Sequence, residues 1–174
     1  MRVRVVYESM FGTTAALAEA IAAGMRSHAT VQLLGVDEAA ELPDSTVDLL
    51  VVGGPTHAFG LSRAQSRAEA ARRCGHTPAT GTETGVREWL AAAAPVPAGT
   101  RAAAFGTRAD KPAWLTGSAA RAIDKRLRRL GFTLAAAPAD FRVADTVGPA
   151  IAGELARAYD WGTVLAESEC AQRV

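Results

Sequence analysis

An open parallel β-sheet with helices on both faces is the architecture this sequence predicts, and three observations carry it. Strand-like and helix-like segments alternate along the chain as β-α-β-α-β-α-β-α-β-α, the pattern of a doubly wound α/β fold. One segment, Val47 to Val52 (VDLLVV), is apolar on both faces apart from Asp48, as a strand of a helix-covered parallel sheet must be. No internal repeat or linker interrupts the pattern, and 174 residues fit a single domain over 1–174 against a prior of about 150.

Val3, Val5 and Val6 open a β-branched run that predicts a buried first strand ending near Tyr7. Leu17, Ala18, Ile21, Ala22 and Met25 then recur at helical spacing. Val31 to Val36 predicts the second strand and VDLLVV the third. Val86, Trp89, Leu90 and Ala93 mark a helix closed by Pro95 and Pro97. Ala102 to Phe105 has weak strand propensity but stands where the alternation needs a fourth strand. Gly117-Ser118 caps a helix with Ala120, Ile123, Leu127 and Leu130 on its inner face, and Gly131 stops it. Phe132 to Ala136 predicts the fifth strand, and Ile151, Leu155, Ala158 and Leu165 line a last helix.

Composition narrows the function classes. Lys and Arg total 19 against 18 Asp and Glu, a balance unlike that of a basic nucleic-acid-binding domain. The 39 alanines, with Arg supplying 17 of the 19 basic residues, reflect GC-rich codons and make Ala a poor guide to burial. Two cysteines, Cys74 and Cys170, form no disulfide framework, and His28, His57, His76 and Cys74 lack metal-ligand spacing. The start MRVRVVYES has no apolar signal core, and no stretch reaches the ~18 apolar residues of a membrane span. The expectation is a soluble, cytoplasmic protein with no nucleic-acid or membrane partner.

In such a sheet ligands bind beyond the carboxyl ends of the strands. The first loop there, Ser9-Met10-Phe11-Gly12-Thr13-Thr14, carries three hydroxyls and a glycine into a helix, and no Lys or Arg. Backbone N–H groups at a helix start attract an anion, and the hydroxyls can donate to phosphate oxygens; a plain helix cap is the competing explanation. The second loop is Gly53-Gly54-Pro55-Thr56-His57-Ala58-Phe59-Gly60. Its glycines let backbone approach a ligand, N–H groups around Thr56 to Gly60 can meet a heterocycle edge, and Phe59 can cover its face. A simple Gly-Pro turn with Phe59 in the core is the alternative.

Other nucleotide folds are excluded. No Gly-Lys-Ser/Thr ends the first loop, no Gly-x-Gly-x-x-Gly follows the first strand, and Gly53-Gly54 stands where a phosphoacceptor receiver domain needs Asp. Ser9 lacks the Gly-x-Ser-x-Gly elbow of a nucleophilic hydrolase.

The segments VVYESMFGTTAALAEAI and DLLVVGGPTHAFG, in this order, resemble the flavodoxin-like FMN-binding family, and are especially similar to the flavodoxin modules of flavodiiron proteins and NAD(P)H:quinone reductases. The resemblance implies a five-stranded sheet in the order 2-1-3-4-5 and FMN as cofactor. It puts the phosphate on Ser9, Met10, Phe11, Gly12, Thr13 and Thr14, and the ring against Pro55, Thr56, His57, Ala58, Phe59 and Gly60. A third contribution is expected from the loop after the fourth strand, Gly106-Thr107-Arg108-Ala109-Asp110, through Thr107, Arg108 and Asp110 above all. The family often places an aromatic there; here none follows Phe105-Gly106 directly, and Trp114 is the nearest candidate for stacking.

The implied function is redox: electron transfer to a partner protein, or flavin-dependent reduction of a small acceptor. A non-catalytic module retaining the fold for assembly is the alternative, since this fold hosts many activities. The net charge of +1 differs from the acidic surface of flavodoxin proper, and Arg121, Lys125, Arg126, Arg128 and Arg129 against Asp124 make one helix basic, mostly as a solvated face. Leu61 to Thr84 is an insert longer than the usual 2–6 residues of such loops, with a helical turn or two at Ser66 to Arg73 and a turn-rich Gly75-His76-Thr77-Pro78. Its polarity suggests a lid over the flavin rather than a support for the fold, with disorder, a surface excursion or a structural homodimer contact as the alternatives.

Overall fold

The computed structural model describes residues 1–39, 47–57, 59–74, 84–145 and 148–172; Ala58, Glu83 and the Gly75 to Pro78 run lie outside the described residues. Strand β1 (Arg2–Tyr7) leads into helix α1 (Thr13–Met25), then β2 (Thr30–Gly35) and β3 (Leu49–His57). The short β4 (Gly60–Leu61), α2 (Ala64–Cys74) and α3 (Val86–Ala92) follow, then β5 (Arg101–Ala109), α4 (Ala113–Thr116) and α5 (Ala119–Arg129). The short β6 (Thr133–Leu134), β7 (Ala139–Val143) and α6 (Glu154–Ala171) complete the order.

The sheet runs β2-β1-β3-β5, with β6 and β7 both paired to β5 on the far side, and these pairs are parallel. This is the predicted 2-1-3-4-5 order, with β4 added as an antiparallel partner of β3. Alternate residues of the central strands feed two cores. Val3, Val5, Leu49, Val51, Ala103 and Phe105 pack under α1 and α6. Val6, Leu50, Val52, Ala102 and Ala104 pack under α3 and α5. Burial on both faces is what VDLLVV and the small Ala102–Ala104 run require.

Three expectations about the strands and the last helix are corrected first. The fifth strand is not Phe132 to Ala136: only Thr133 and Leu134 pair, with Arg101 and Ala102, and the longer strand is Ala139–Val143 along Phe105–Ala109. Between them lies Ala135 to Pro138, and Pro138 has no N–H to continue a ladder. The last helix begins at Glu154, so Ile151 precedes it, and Leu155 is 46% exposed; Ala158, Gly162, Leu165 and Ala166 face inward. Small residues there allow close approach to α1: a Cβ at Gly24 would lie 2.1 Å from the Tyr159 carbonyl oxygen, and one at Gly162 would lie 2.3 Å from that of Ile21. Finally, Gly53 makes room for the core rather than for a ligand, since a Cβ there would lie 1.9 Å from the Phe105 ring.

The insert after β3 is more firmly attached than its polarity implies. Arg67 of α2 is only 1% exposed. Its Nη1 donates to Ser62 Oγ at 3.0 Å and lies 3.1 Å from Glu88 Oε2. Ser62 Oγ donates to Glu8 Oε1, and the Val86 N–H donates to Glu8 Oε2 at 2.9 Å. Arg87 adds Nε and Nη2 bonds of 2.9 and 2.6 Å to the Ser62 and Leu61 carbonyls. Burial pushes the Glu8 carboxyl above its usual range, although Ser62, the Val86 N–H and Arg67 pull it down. The insert's first half therefore ties α2 and α3 to the end of β1, which corrects the expectation that the insert does not support the fold.

Candidate cofactor site

After Tyr7 the chain turns through Ser9 to Phe11, and Gly12 (φ 90°) starts α1 from a left-handed conformation. Ser9 is fully buried; its Oγ accepts from the Gly12 N–H at 3.2 Å and the Ala15 N–H at 3.1 Å. Ser9 thus shapes the loop from inside and does not line the cleft. The first N–H groups of a helix have no intrahelical acceptor, and among the described residues nothing accepts from those of Thr13 and Thr14, which can therefore meet an anion. The Thr13 hydroxyl donates to the Gly148 carbonyl at 3.0 Å, and the Thr14 and Thr107 hydroxyls share a hydrogen bond of 3.1 Å. These side chains join the first loop to the end of β5 and to the loop after β7.

Met10, Phe11, Thr13 and Thr14 line one end of a cleft of about 250 Å³. Pro55, Thr56, His57 and Phe59 form one wall, and Thr107, Arg108, Ala109, Leu115 and Thr116 the other. The Ala119 N–H donates to Thr56 Oγ1 at 2.9 Å, fixing the start of α5 to the end of β3. Phe59, at φ 70° and 70% exposed, bridges to Gly117 and stands at the mouth. Burial lowers the pKa of His57, keeping the imidazole neutral at pH 7.

Two expected contacts lie elsewhere: Gly60 pairs with His57 in the β3–β4 turn, and Asp110 faces Arg142 at 3.4 Å. Trp114 is 79% exposed and off the cleft, whose wall takes Leu115 from the same short helix. Ala109, in the expected third loop, lines the cleft, whereas Leu115, Thr116, Val143 and Gly148 were not expected. Val143 ends the true fifth strand and Gly148 follows it, so the misplaced strand concealed them.

A model of the flavodoxin family matches residues 5–153. The chain belongs to the flavodoxin family. Its cofactor is FMN. A flavodoxin from the domain Archaea is 22% identical, with 98% of this chain and 99% of that one covered and a TM-score of 0.63. Flavodoxin 1 from Bacillus cereus is 14% identical over 96% and 98% of the two chains, with a TM-score of 0.68. A WrbA-like flavodoxin from Agrobacterium tumefaciens is 20% identical over 98% of each, with a TM-score of 0.60. At these identities the likeness bears on the fold. A search of curated proteins finds no match.

The cleft of this flavodoxin suits the group. Gly12 leaves the anion end of α1 open, with no atom within 4 Å of where a Cβ would stand. Arg108 gives a second sign of fit: its Nε is buried without a hydrogen bond, 3.6 Å from the Asp140 carboxylate, while Nη1 donates to the Lys111 carbonyl. A buried donor lacking an acceptor is costly unless a ligand or water meets it. Burial raises the pKa of Asp140, against the lowering effects of the Ser118 hydroxyl bond and of Arg108, Arg121 and Arg157. Among the described residues no group of three His, Cys, Asp or Glu side chains is placed to hold a metal, and no helix is long and apolar enough to cross a membrane.

Proposed function

We propose that this protein holds FMN with its phosphate at the start of α1 and its ring between the Pro55–Phe59 and Thr107–Thr116 walls, and passes electrons to an acceptor at the mouth of the cleft. One observation carries the reading: the start of α1, where no described residue accepts from the Thr13 and Thr14 N–H groups, lines the cleft that those two walls enclose. Bound FMN supplies one- and two-electron redox chemistry. Ser9 holds the loop in the shape that presents those N–H groups. Phe59 and Leu115 give the walls apolar surface, and Arg108 places a positive charge inside them. Neutral His57 can offer a hydrogen bond without adding charge. The mouth stays open between Phe59 and Leu115, both exposed, so an acceptor can approach. Arg121, in the first turn of α5, is at the cleft end of that helix and suits an acidic protein partner there.

The test is a visible spectrum of the purified protein, release and identification of its flavin, and titration of the stripped protein with FMN, FAD and riboflavin. FMN is expected to bind about tenfold or more tighter than riboflavin, since only FMN carries the phosphate. A colourless protein that takes up none of the three would sink the reading.

A further inference from the structure

A second cavity, of about 440 Å³, lies beside the cofactor cleft and shares His57 with it. Small-molecule sites span roughly 300–1,000 Å³, so this one has the size to hold a ligand. Leu61 of β4 contributes to it, together with Arg63 and the face of α2 that carries Gln65, Ser66, Glu69 and Arg72. Gln65, Glu69 and Arg72 share that face because helix neighbours recur at three and four residues.

This face is held in place. Arg67, elsewhere on the same helix, is buried against Ser62 and Glu88, and Arg87 grips the Leu61 and Ser62 carbonyls. Ser66 Oγ accepts from the Arg63 N–H at 2.9 Å and donates to the Arg63 carbonyl at 2.8 Å, which fixes the backbone from which the Arg63 side chain projects.

Charge gives the cavity its chemistry. Arg72 is paired with Glu69 at 3.2 Å. The Arg63 guanidinium has no carboxylate partner among the described residues, and His57 is uncharged at neutral pH. One positive fork is therefore left over, in a cavity whose remaining surface includes Leu61, the imidazole and the methylene stems of the arginines. A guanidinium binds a planar carboxylate through two parallel hydrogen bonds.

We propose that the cavity between α2 and His57 binds a small planar organic acid, with its anionic group on Arg63 and its apolar body against Leu61 and His57. The site itself stands on the cavity and its charge. Its role, seating an acceptor or donor across His57 from the cofactor, rests on the flavin reading above.

The experiment uses 2-naphthoate and its neutral isostere 2-naphthamide, titrated calorimetrically into the FMN-loaded protein, with the His57 ring proton followed by NMR. Naphthoate is expected to bind about tenfold or more tighter than naphthamide and to shift the His57 resonance. Arg63→Gln should weaken naphthoate about tenfold and leave naphthamide unchanged, and Arg63→Lys should restore part of the loss. No naphthoate binding, equal affinity for the two probes, an Arg63→Gln variant that binds naphthoate normally, or an unmoved His57 signal would each overturn the assignment. The same titration on flavin-free protein separates the two readings. Arg63-dependent binding in a protein that takes up no FMN keeps the cavity and removes the flavin reading, whereas normal FMN uptake without naphthoate binding does the reverse.

Discussion

Phe59 and Gly117 interlock backbone against backbone at the mouth of the cleft. A Cβ at position 117 would lie 2.2 Å from the Phe59 carbonyl oxygen, and the two residues sit at φ 70° and 76°. The Phe59 wall keeps its form only while residue 117 has no side chain. Gly117→Ala should cost about 1–3 kcal/mol of stability and weaken FMN binding about tenfold. Gly99→Ala is the control: Gly99 is also left-handed (φ 86°), but nothing lies within 4 Å of its missing Cβ. It should lower stability by about 1–2 kcal/mol and leave FMN affinity unchanged. Urea denaturation and flavin titration of both variants check the pair.

Arg67 joins the insert to the protein. Replacing it with Ala leaves Glu8 in a buried site without that cation, and should cost about 3–5 kcal/mol in urea denaturation. Joining Leu61 directly to Thr84 through a short linker removes Arg67 and Ser62 together, so it should destabilise at least as much. A deletion variant that melts like the wild type would mean the Arg67 contacts carry little energy.

Glu154 opens α6 almost fully buried. Its carboxylate takes Arg157 Nη2 at 2.6 Å and the Arg142 N–H at 2.7 Å. Burial favours the neutral acid, but the Arg157 and Arg142 bonds outweigh it and hold the pKa below the usual range. A carboxyl depressed in the folded state contributes stability above its unfolded value and loses it as pH falls through the folded value. Glu154→Gln should therefore cost about 1.5–3 kcal/mol at pH 7. The gap from wild type should narrow steadily below about pH 4, as measured by denaturation across pH.

Arg108 should set the potential. A positive charge in the cleft favours the electron-rich form of the cofactor, so Arg108→Gln should lower the midpoint potential by about 30–60 mV, the two-electron equivalent of about 1.4–2.8 kcal/mol. Spectroelectrochemistry of the FMN-loaded variant checks it. An unmoved potential with a lost preference for FMN over riboflavin would instead place Arg108 on the phosphate.

What the sequence made legible was local. The Ser9–Thr14 and Pro55–Phe59 loops are contiguous, each follows a strongly patterned strand, and both reach the same cleft, although Ser9 acts from beneath it. The fifth strand was obscured because Ala135 to Ala137 carry no periodicity, so strand and connection look alike there. Leu115 replaced Trp114 because the turn of α4 decides which side chain faces in, and four residues leave no pattern to read. The buried role of Arg67 depends on Ser62, Glu8 and Glu88, brought together only by the fold.

The crossing of α1 and α6 gives the molecule a fulcrum. Gly24 and Gly162 let the two helices touch at the end of α1 remote from Thr13, a span of about 16 Å along the axis. A methyl group at either glycine must lever the helices apart, and α1 carries that tilt to its other end. Variants selected blindly for weak flavin retention should therefore include changes at Gly24 and Gly162, where no ligand comes near.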